Sequence, residues 1–203
     1  MSRIILASAS VQRKKLLEAL NLPFEIIAAH IDEQAIRDPD LKKQALLLAR
    51  AKADAVAARE QGIIIAADTF CVYQNKILEK PSDAKEATEM LHALSGNTAI
   101  AYTGFCYLDP HTSRGVGVDR ERGIDEATLA ETEFTFRALS AEEIARFVEI
   151  FPVTAWSAGF SPAYPYGMTL VSKISGSFTG FTHGLPMELL VPLLRRSGIV
   201  VKP

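Results

Sequence analysis

The sequence predicts an α/β fold: a single mixed-sheet domain over residues 1–203 with flanking helices. Two observations carry that expectation. Short runs of apolar residues alternate with segments whose apolar positions recur at helical spacing through the first half of the chain, and strand-like segments dominate the second. No Pro/Gly/Ser-rich linker, internal repeat or low-complexity stretch marks a boundary between domains.

Taken in order, 3–7 (Arg-Ile-Ile-Leu-Ala) reads as a buried strand and 24–28 as another. The segment 11–20 between them reads as a helix with Leu16, Leu17 and Leu20 facing inward. The stretch 40–59 is the clearest helix, and 62–67, continuous and isoleucine-rich, reads as a buried strand. Residues 83–94 form an amphipathic helix with Ala84, Ala87, Leu91 and Leu94 in register, opened by Asp83 and Glu86 as a capping pair. Strands follow at 98–108 and 132–136. The charged stretch between them, near 109–130 and with three glycines, is expected to be a hairpin extension or loop. Ser140-Ala141-Glu142-Glu143 is a capping box, 167–174 reads as a strand, and a final helix over 185–196 stops at Gly198.

Composition excludes several classes. The formal net charge is −2 and no dense basic run is present, which disfavours nucleic-acid binding. Cys71 and Cys106 have no metal-ligand or disulfide-framework spacing and sit in apolar strand-like segments, so each is expected to be a free, buried thiol. No stretch approaches the roughly 20 apolar residues of a membrane span, and the first residues lack a signal-peptide core. A cytoplasmic location without membrane partners is the expectation.

Four local features carry chemistry. At Leu6-Ala7-Ser8-Ala9-Ser10-Val11-Gln12-Arg13, a strand ends in small hydroxylated residues and a helix begins. Unpaired N–H groups and a partial positive charge make helix N-termini suited to phosphate. Ser8 and Ser10 add donors, and Arg13 precedes Leu16 and Leu17 by three and four residues, so its guanidinium lies on the inward face. Lys52 falls within the apolar stripe Ala45, Leu48, Ala49, Ala53, Val56, where an ammonium must snorkel, pair or face a polar site. Asp68, followed by Thr69, closes the strand 62–67, where a carboxylate can bind a hard cation or activate water or simply form a turn. Lys80 precedes a helix start, which opposes the helix dipole and is better tolerated beside an anion. Asp32 and Glu33 are a further carboxylate pair, common in loops.

Together these residues resemble the Maf family of nucleotide pyrophosphatases. The likeness runs from Leu6-Ala7-Ser8-Ala9-Ser10 with Arg13, through Ile31-Asp32-Glu33, Lys52-Ala53, Ala67-Asp68-Thr69, Lys80-Pro81 and Tyr102-Thr103-Gly104, to Ala158-Gly159 and Gly184-Leu185-Pro186. The resemblance implies a Maf or inosine triphosphate pyrophosphatase-like fold with a deep cleft, often homodimeric, that cleaves a nucleoside triphosphate to the monophosphate and pyrophosphate with Mg²⁺ or Mn²⁺. It implies Asp68, Lys52 and Lys80 as catalytic residues and Glu33 with Asp68 as metal ligands. It further implies Ser8, Ser10, Gln12, Arg13, Thr69 and Tyr164 as substrate-binding residues. Gln12 stands where family members carry a basic or aromatic residue, and Tyr164 where a Gln or Glu is expected. Base preference is therefore open between a pyrimidine (dTTP, UTP) and a modified base such as 7-methyl-GTP. Tyr164 suits base stacking or a core position alike. The alternative to catalysis is a nucleotide-binding regulator of cell division.

Overall fold

β-branched and apolar runs build one seven-stranded mixed sheet in the computed structural model, which describes residues 2–110 and 123–201. In chain order the elements are β1 (Ile4–Leu6), α1 (Val11–Glu18), β2 (Glu25–Ile26), a 3₁₀ turn (Glu33–Ala35), α2 (Leu41–Ala57), β3 (Ile63–Tyr73), β4 (Lys76–Leu78), α3 (Ala84–Leu94) and β5 (Thr98–Asp109). Then come β6 (Ile124–Phe136), α4 (Ala141–Ile150), two 3₁₀ turns (Val153–Ala155 and Ser157–Gly159), α5 (Pro165–Met168), β7 (Val171–Gly176), α6 (Phe178–His183) and α7 (Met187–Arg196). The strand order is β2-β1-β3-β5-β6-β7, with β4 paired to β3. Helices flank the sheet as the alternating pattern predicts. By contact the chain falls into two units: Met1–Asp68, Thr103–Ala130 and His183–Pro203 form the first, and Thr69–Tyr102 with Glu131–Thr182 the second.

In the first unit β1 lies parallel to both β2 and β3, with Ile4, Ile5 and Leu6 opposite Ile63, Ile64 and Ile65. Side chains alternate across a strand, so this register sorts the core into two sets. Ile4, Leu6, Ile63, Ile65 and Ala67 pack with Leu17 of α1 and Leu190, Leu193 and Leu194 of α7. Ile5, Ala7, Ile64 and Ala66 pack with Ala49, Ala53 and Val56 of α2. The α2 backbone approaches β5 closely: a Cβ on Gly104 would stand 2.0 Å from the Ala45 carbonyl oxygen. Only glycine fits beneath the helix there.

The second unit has its own core, in which Leu91 and Leu94 of α3 and Ile144 and Phe147 of α4 surround Phe134, Phe136, Phe160 and Phe181. Phe134 stacks on Phe181 with centroids 4.6 Å apart, and Phe136 meets Phe160 edge-on at 4.8 Å. The capping box of α4 forms as expected, with Ser140 and Glu143 each accepting the other's backbone N–H. At α3 the pairing differs. Asp83 caps the helix, while the Glu86 carboxylate accepts from the N–H and hydroxyl of Ser82.

Several boundaries move, each for a local reason. The expected buried strand 24–28 shortens to Glu25–Ile26, and both residues are exposed because β2 is the sheet edge. β3 does not end at Asp68 but continues through Thr69-Phe70-Cys71-Val72-Tyr73, which suit a strand. It then folds back into β4 through Gln74 and Asn75, both at positive φ (49° and 60°). That is a two-residue hairpin without the usual Asn-Gly signal. Pro165 opens α5, displacing the strand expected at 167–174 to Val171–Gly176. α6 occupies a stretch between the expected strand and the final helix to which the sequence pattern assigns no element. Of the hairpin or loop expected near 109–130, residues 111–122 lie outside the described residues, and from Ile124 the chain is already in β6.

Both cysteines are free and buried as expected. Burial pushes each thiol from the usual 9.0 up to about 12. It pushes the Tyr107 hydroxyl, bonded to Ser197 Oγ at 2.7 Å, from 10.0 to about 12. Between these values the unfolded chain has lost protons that the native state keeps. Stability is therefore full below about pH 9 and falls as pH rises towards 12. Urea midpoints across that range will show the decline, and a thiol reagent at neutral pH will label Cys71 and Cys106 only on unfolding. Gly104→Ala will lower stability by about 2 kcal/mol or more, read from the same urea transitions, because backbone rather than a mobile side chain must yield.

Candidate active site

Strand and helix periodicity place the central pair. Asp68 shares the β3 face of Ile64 and Ala66, the face that α2 covers. Lys52 sits on the matching face of α2 between the buried residues Ala49, Ala53 and Val56. The two meet inside the first unit: Lys52 Nζ donates to Asp68 Oδ1 at 2.5 Å, and both side chains are only 11% exposed. The apolar stripe therefore ends in an ion pair. Lys52 Nζ also lies 3.0 Å from Glu33 Oε1, a side chain 55% exposed. Asp32, its neighbour, accepts from the N–H groups of Gln34 and Ala35 at 3.1 and 3.3 Å, so it holds the 3₁₀ turn that presents Glu33.

At the end of β1 the chain turns into α1 through two serines. Ser10 is the N-cap, its hydroxyl accepting from the Arg13 N–H. Ser8 Oγ accepts from the Ser10 N–H at 3.2 Å and from Arg13 Nη1 at 3.0 Å. Arg13, buried as its spacing from Leu16 and Leu17 predicts, donates through Nε to the Gly184 carbonyl at 2.8 Å. Burial lowers its affinity for a proton, and the charges of Asp68 and Glu33 oppose that effect. The guanidinium stays charged, since arginine does not deprotonate in proteins. Gly184, just past α6, has φ +69° and so aims its carbonyl from a conformation that glycine adopts without strain.

These groups face one pocket of about 380 Å³, lined by Ser8, Ala9, Ser10, Arg13, His30, Glu33 and Lys52 among others. The volume falls in the range of small-molecule sites. The structure thus brings Ser8, Ser10, Arg13, Glu33 and Lys52 to one cavity, with Asp68 bound to Lys52. Gln12 is half-buried at the second position of α1. Three expected site residues belong to the second unit. Thr69 follows Asp68 in β3 and is half-buried. Lys80 is exposed in the segment after β4, where Ser157 Oγ donates to the Leu78 carbonyl at 2.5 Å and the Ala158 N–H to the Glu79 carbonyl at 3.1 Å. Asp83 and Glu86 place negative charge at the start of α3, which itself offsets the unfavourable placing of Lys80 before that helix. Tyr164 is the N-cap of α5, its ring stacked on Tyr166 with centroids 5.4 Å apart and tilted against Trp156 at 5.5 Å. It is half-buried, neither free nor in the core.

Two contributors escaped the sequence. His30 lines the pocket from a left-handed backbone (φ +48°) that no local motif announces. The Gly184 carbonyl is 171 positions from the arginine it holds, and main-chain acceptors leave no mark in a sequence.

Two buried cations beside serine hydroxyls, a helix N-terminus and two converging carboxylates are groups of the kind that can receive phosphate oxygens, here set on an α/β sheet. The family model of the Maf-like protein matches residues 3–197, and the chain belongs to that family. It is 34% identical over 198 residues to the dTTP/UTP pyrophosphatase of Deinococcus radiodurans, covering 97% of this chain and 94% of that protein. It is 36% identical over 204 residues to the dTTP/UTP pyrophosphatase of Geobacillus sp. (strain WCH70), covering 98% and 100%. A solved HAM1 protein of Coxiella burnetii aligns with a TM-score of 0.48 at 15% identity, over 96% of this chain and 99% of that one.

Ser8→Ala removes the acceptor shared by Arg13 and Ser10. It will cost about 1–2 kcal/mol of stability in urea unfolding. Calorimetry will show weaker binding of pyrophosphate to the same variant.

Proposed function

We propose that this chain hydrolyses a pyrimidine nucleoside triphosphate, dTTP or UTP, to the nucleoside monophosphate and pyrophosphate. The observation that carries this is the buried Lys52–Asp68 pair beside a pocket that also holds Arg13, Ser8 and Ser10. Such a set can neutralise phosphate within one cavity and holds a carboxylate on a lysine that lines it. The names of the related proteins favour the pyrimidine over 7-methyl-GTP.

Each residue has a part in that reaction. Arg13, fixed by Ser8 and Gly184, and Lys52 bind triphosphate oxygens and offset charge that grows on the leaving pyrophosphate. Asp68 accepts the proton of the attacking water. The water oxygen bonds to the α-phosphorus as the bridging oxygen departs with pyrophosphate. Lys80 as a further catalytic residue, and Thr69 and Tyr164 as substrate-binding residues, rest on the family resemblance alone. Gln12 replaces a basic or aromatic residue with a neutral donor and acceptor.

Mg²⁺ or Mn²⁺ fits this donor set. Glu33 and Asp68 present carboxylate oxygens to one point, marked by the Lys52 ammonium. No group of three or more His, Cys, Asp or Glu suited to a metal occurs among the described residues. Magnesium is commonly held by one or two carboxylates, water and substrate phosphate, so two protein ligands suffice. The bound ion would supply charge neutralisation at the phosphates. A cytoplasmic homodimer is proposed on the family resemblance; no helix of the described residues is long and apolar enough to cross a membrane.

The test is turnover of dTTP, UTP, the other common triphosphates and 7-methyl-GTP with Mg²⁺ or Mn²⁺, pyrophosphate and orthophosphate being read separately. Pyrophosphate release from dTTP and UTP, reduced about 10²–10⁴-fold in kcat by Asp68→Asn, is the expected result. Orthophosphate as the only product, or nucleotide binding without turnover, would overturn it.

A further inference from the structure

We propose that the Lys52 ammonium occupies the position between Glu33 and Asp68 that a divalent ion would take, so that lysine and metal compete for the same two carboxylates. The inference rests on the metal assignment above and deepens it. Lys52 Nζ lies 2.5 Å from Asp68 Oδ1 and 3.0 Å from Glu33 Oε1, the two carboxylates suited to hold the metal. A carboxylate oxygen shared with a divalent ion at about 2.0–2.6 Å has no room for an ammonium along the same direction. Two cations at one point between the same oxygens also repel strongly, the more so because Asp68 and Lys52 are shielded from water. The ammonium and the metal are therefore alternatives.

The displaced lysine has a destination. Its side chain lines the pocket with Arg13, Ser8 and Ser10, and its flexible four-carbon stem lets the charge relocate while the helix stays put. An ammonium leaving Asp68 in an apolar stripe needs another anion, because a desolvated, unpaired charge is costly. A phosphate entering the pocket provides that anion. Metal and polyphosphate thus enter favourably together: the ion takes the carboxylates, and the phosphate takes the lysine. Free metal alone must force Lys52 from its partners without compensation and binds weakly. Paired with both, the lysine keeps two carboxylates from facing each other unneutralised, which explains why a charged residue occupies a helix face otherwise filled by alanine, leucine and valine.

The prediction is read without activity. Calorimetric titration of the nucleotide-free protein with Mn²⁺ alone will give an affinity that rises roughly tenfold or more in Lys52→Gln, since the competing charge is gone. The gain will vanish in the double variant Lys52→Gln/Asp68→Asn, which locates the ion on the carboxylate the lysine occupied. Unchanged or weaker Mn²⁺ binding in Lys52→Gln overturns the proposal, as does a gain that survives loss of the Asp68 charge. Should Lys52→Gln fail to fold, Lys52→Arg keeps the ion pair and must bind Mn²⁺ no more tightly than the unsubstituted protein; tighter binding overturns the proposal. Pyrophosphate release by the unsubstituted protein, measured alongside, separates the two readings. Its absence with the Mn²⁺ pattern intact defeats the proposed reaction and leaves the displaced lysine standing.

Discussion

The site depends on one ion pair that the first unit keeps away from water. Lys52 and Asp68 come from a helix and a strand 16 positions apart in the chain, and each occupies a place that its neighbours fill with apolar side chains. Removing two charges from water is costly, and their attraction repays that cost only with short, well-directed contacts. A nonpolar pair of similar size would serve stability as well or better. The geometry makes sense as function: a carboxylate and an ammonium held ready in a pocket, each able to exchange its present partner for a ligand.

The surrounding contacts serve that readiness. Asp32 shapes the short turn that brings Glu33 to the lysine, and Ser8 ties Arg13 to the start of α1 while Gly184 holds it from the other side. Asp32 and the Gly184 carbonyl act through the residues they hold. Their effect is to fix rotamers before binding, so that less conformational freedom is lost when a phosphate arrives. In the second unit Tyr164 and Tyr166 stack on each other and Trp156 lies tilted against both, so these rings are already packed together.

Much of this was legible in the sequence, and the exceptions have physical causes. Lys52 in an apolar stripe and Arg13 ahead of Leu16 and Leu17 were visible because helical periodicity fixes direction, and both side chains are buried. The strand 62–67 was visible from its isoleucines, but its continuation was not, because a polar Asp68-Thr69 step looks like a turn until a partner lysine makes the acid acceptable inside a strand. The hairpin at Gln74-Asn75 was hidden because its residues adopt positive φ without glycine. The Gly184 carbonyl and the backbone of His30 were hidden because tertiary structure alone sets them. The likeness to the Maf family supplied the expected reaction and metal; the spacing of residues supplied the inward direction of Arg13 and Lys52.

The bare α-carbon of Gly104 has a consequence beyond stability. Ala45, whose carbonyl rests against it, lies seven positions before Lys52 on α2, or about 10 Å along the helix. The closeness of α2 to β5 thus acts as a spacer gauge for the whole helix. It sets how far the lysine stands from the sheet and so whether a four-carbon arm reaches the Asp68 carboxylate at all. A glycine inside the sheet thus helps to set the reach of a charge that it does not touch.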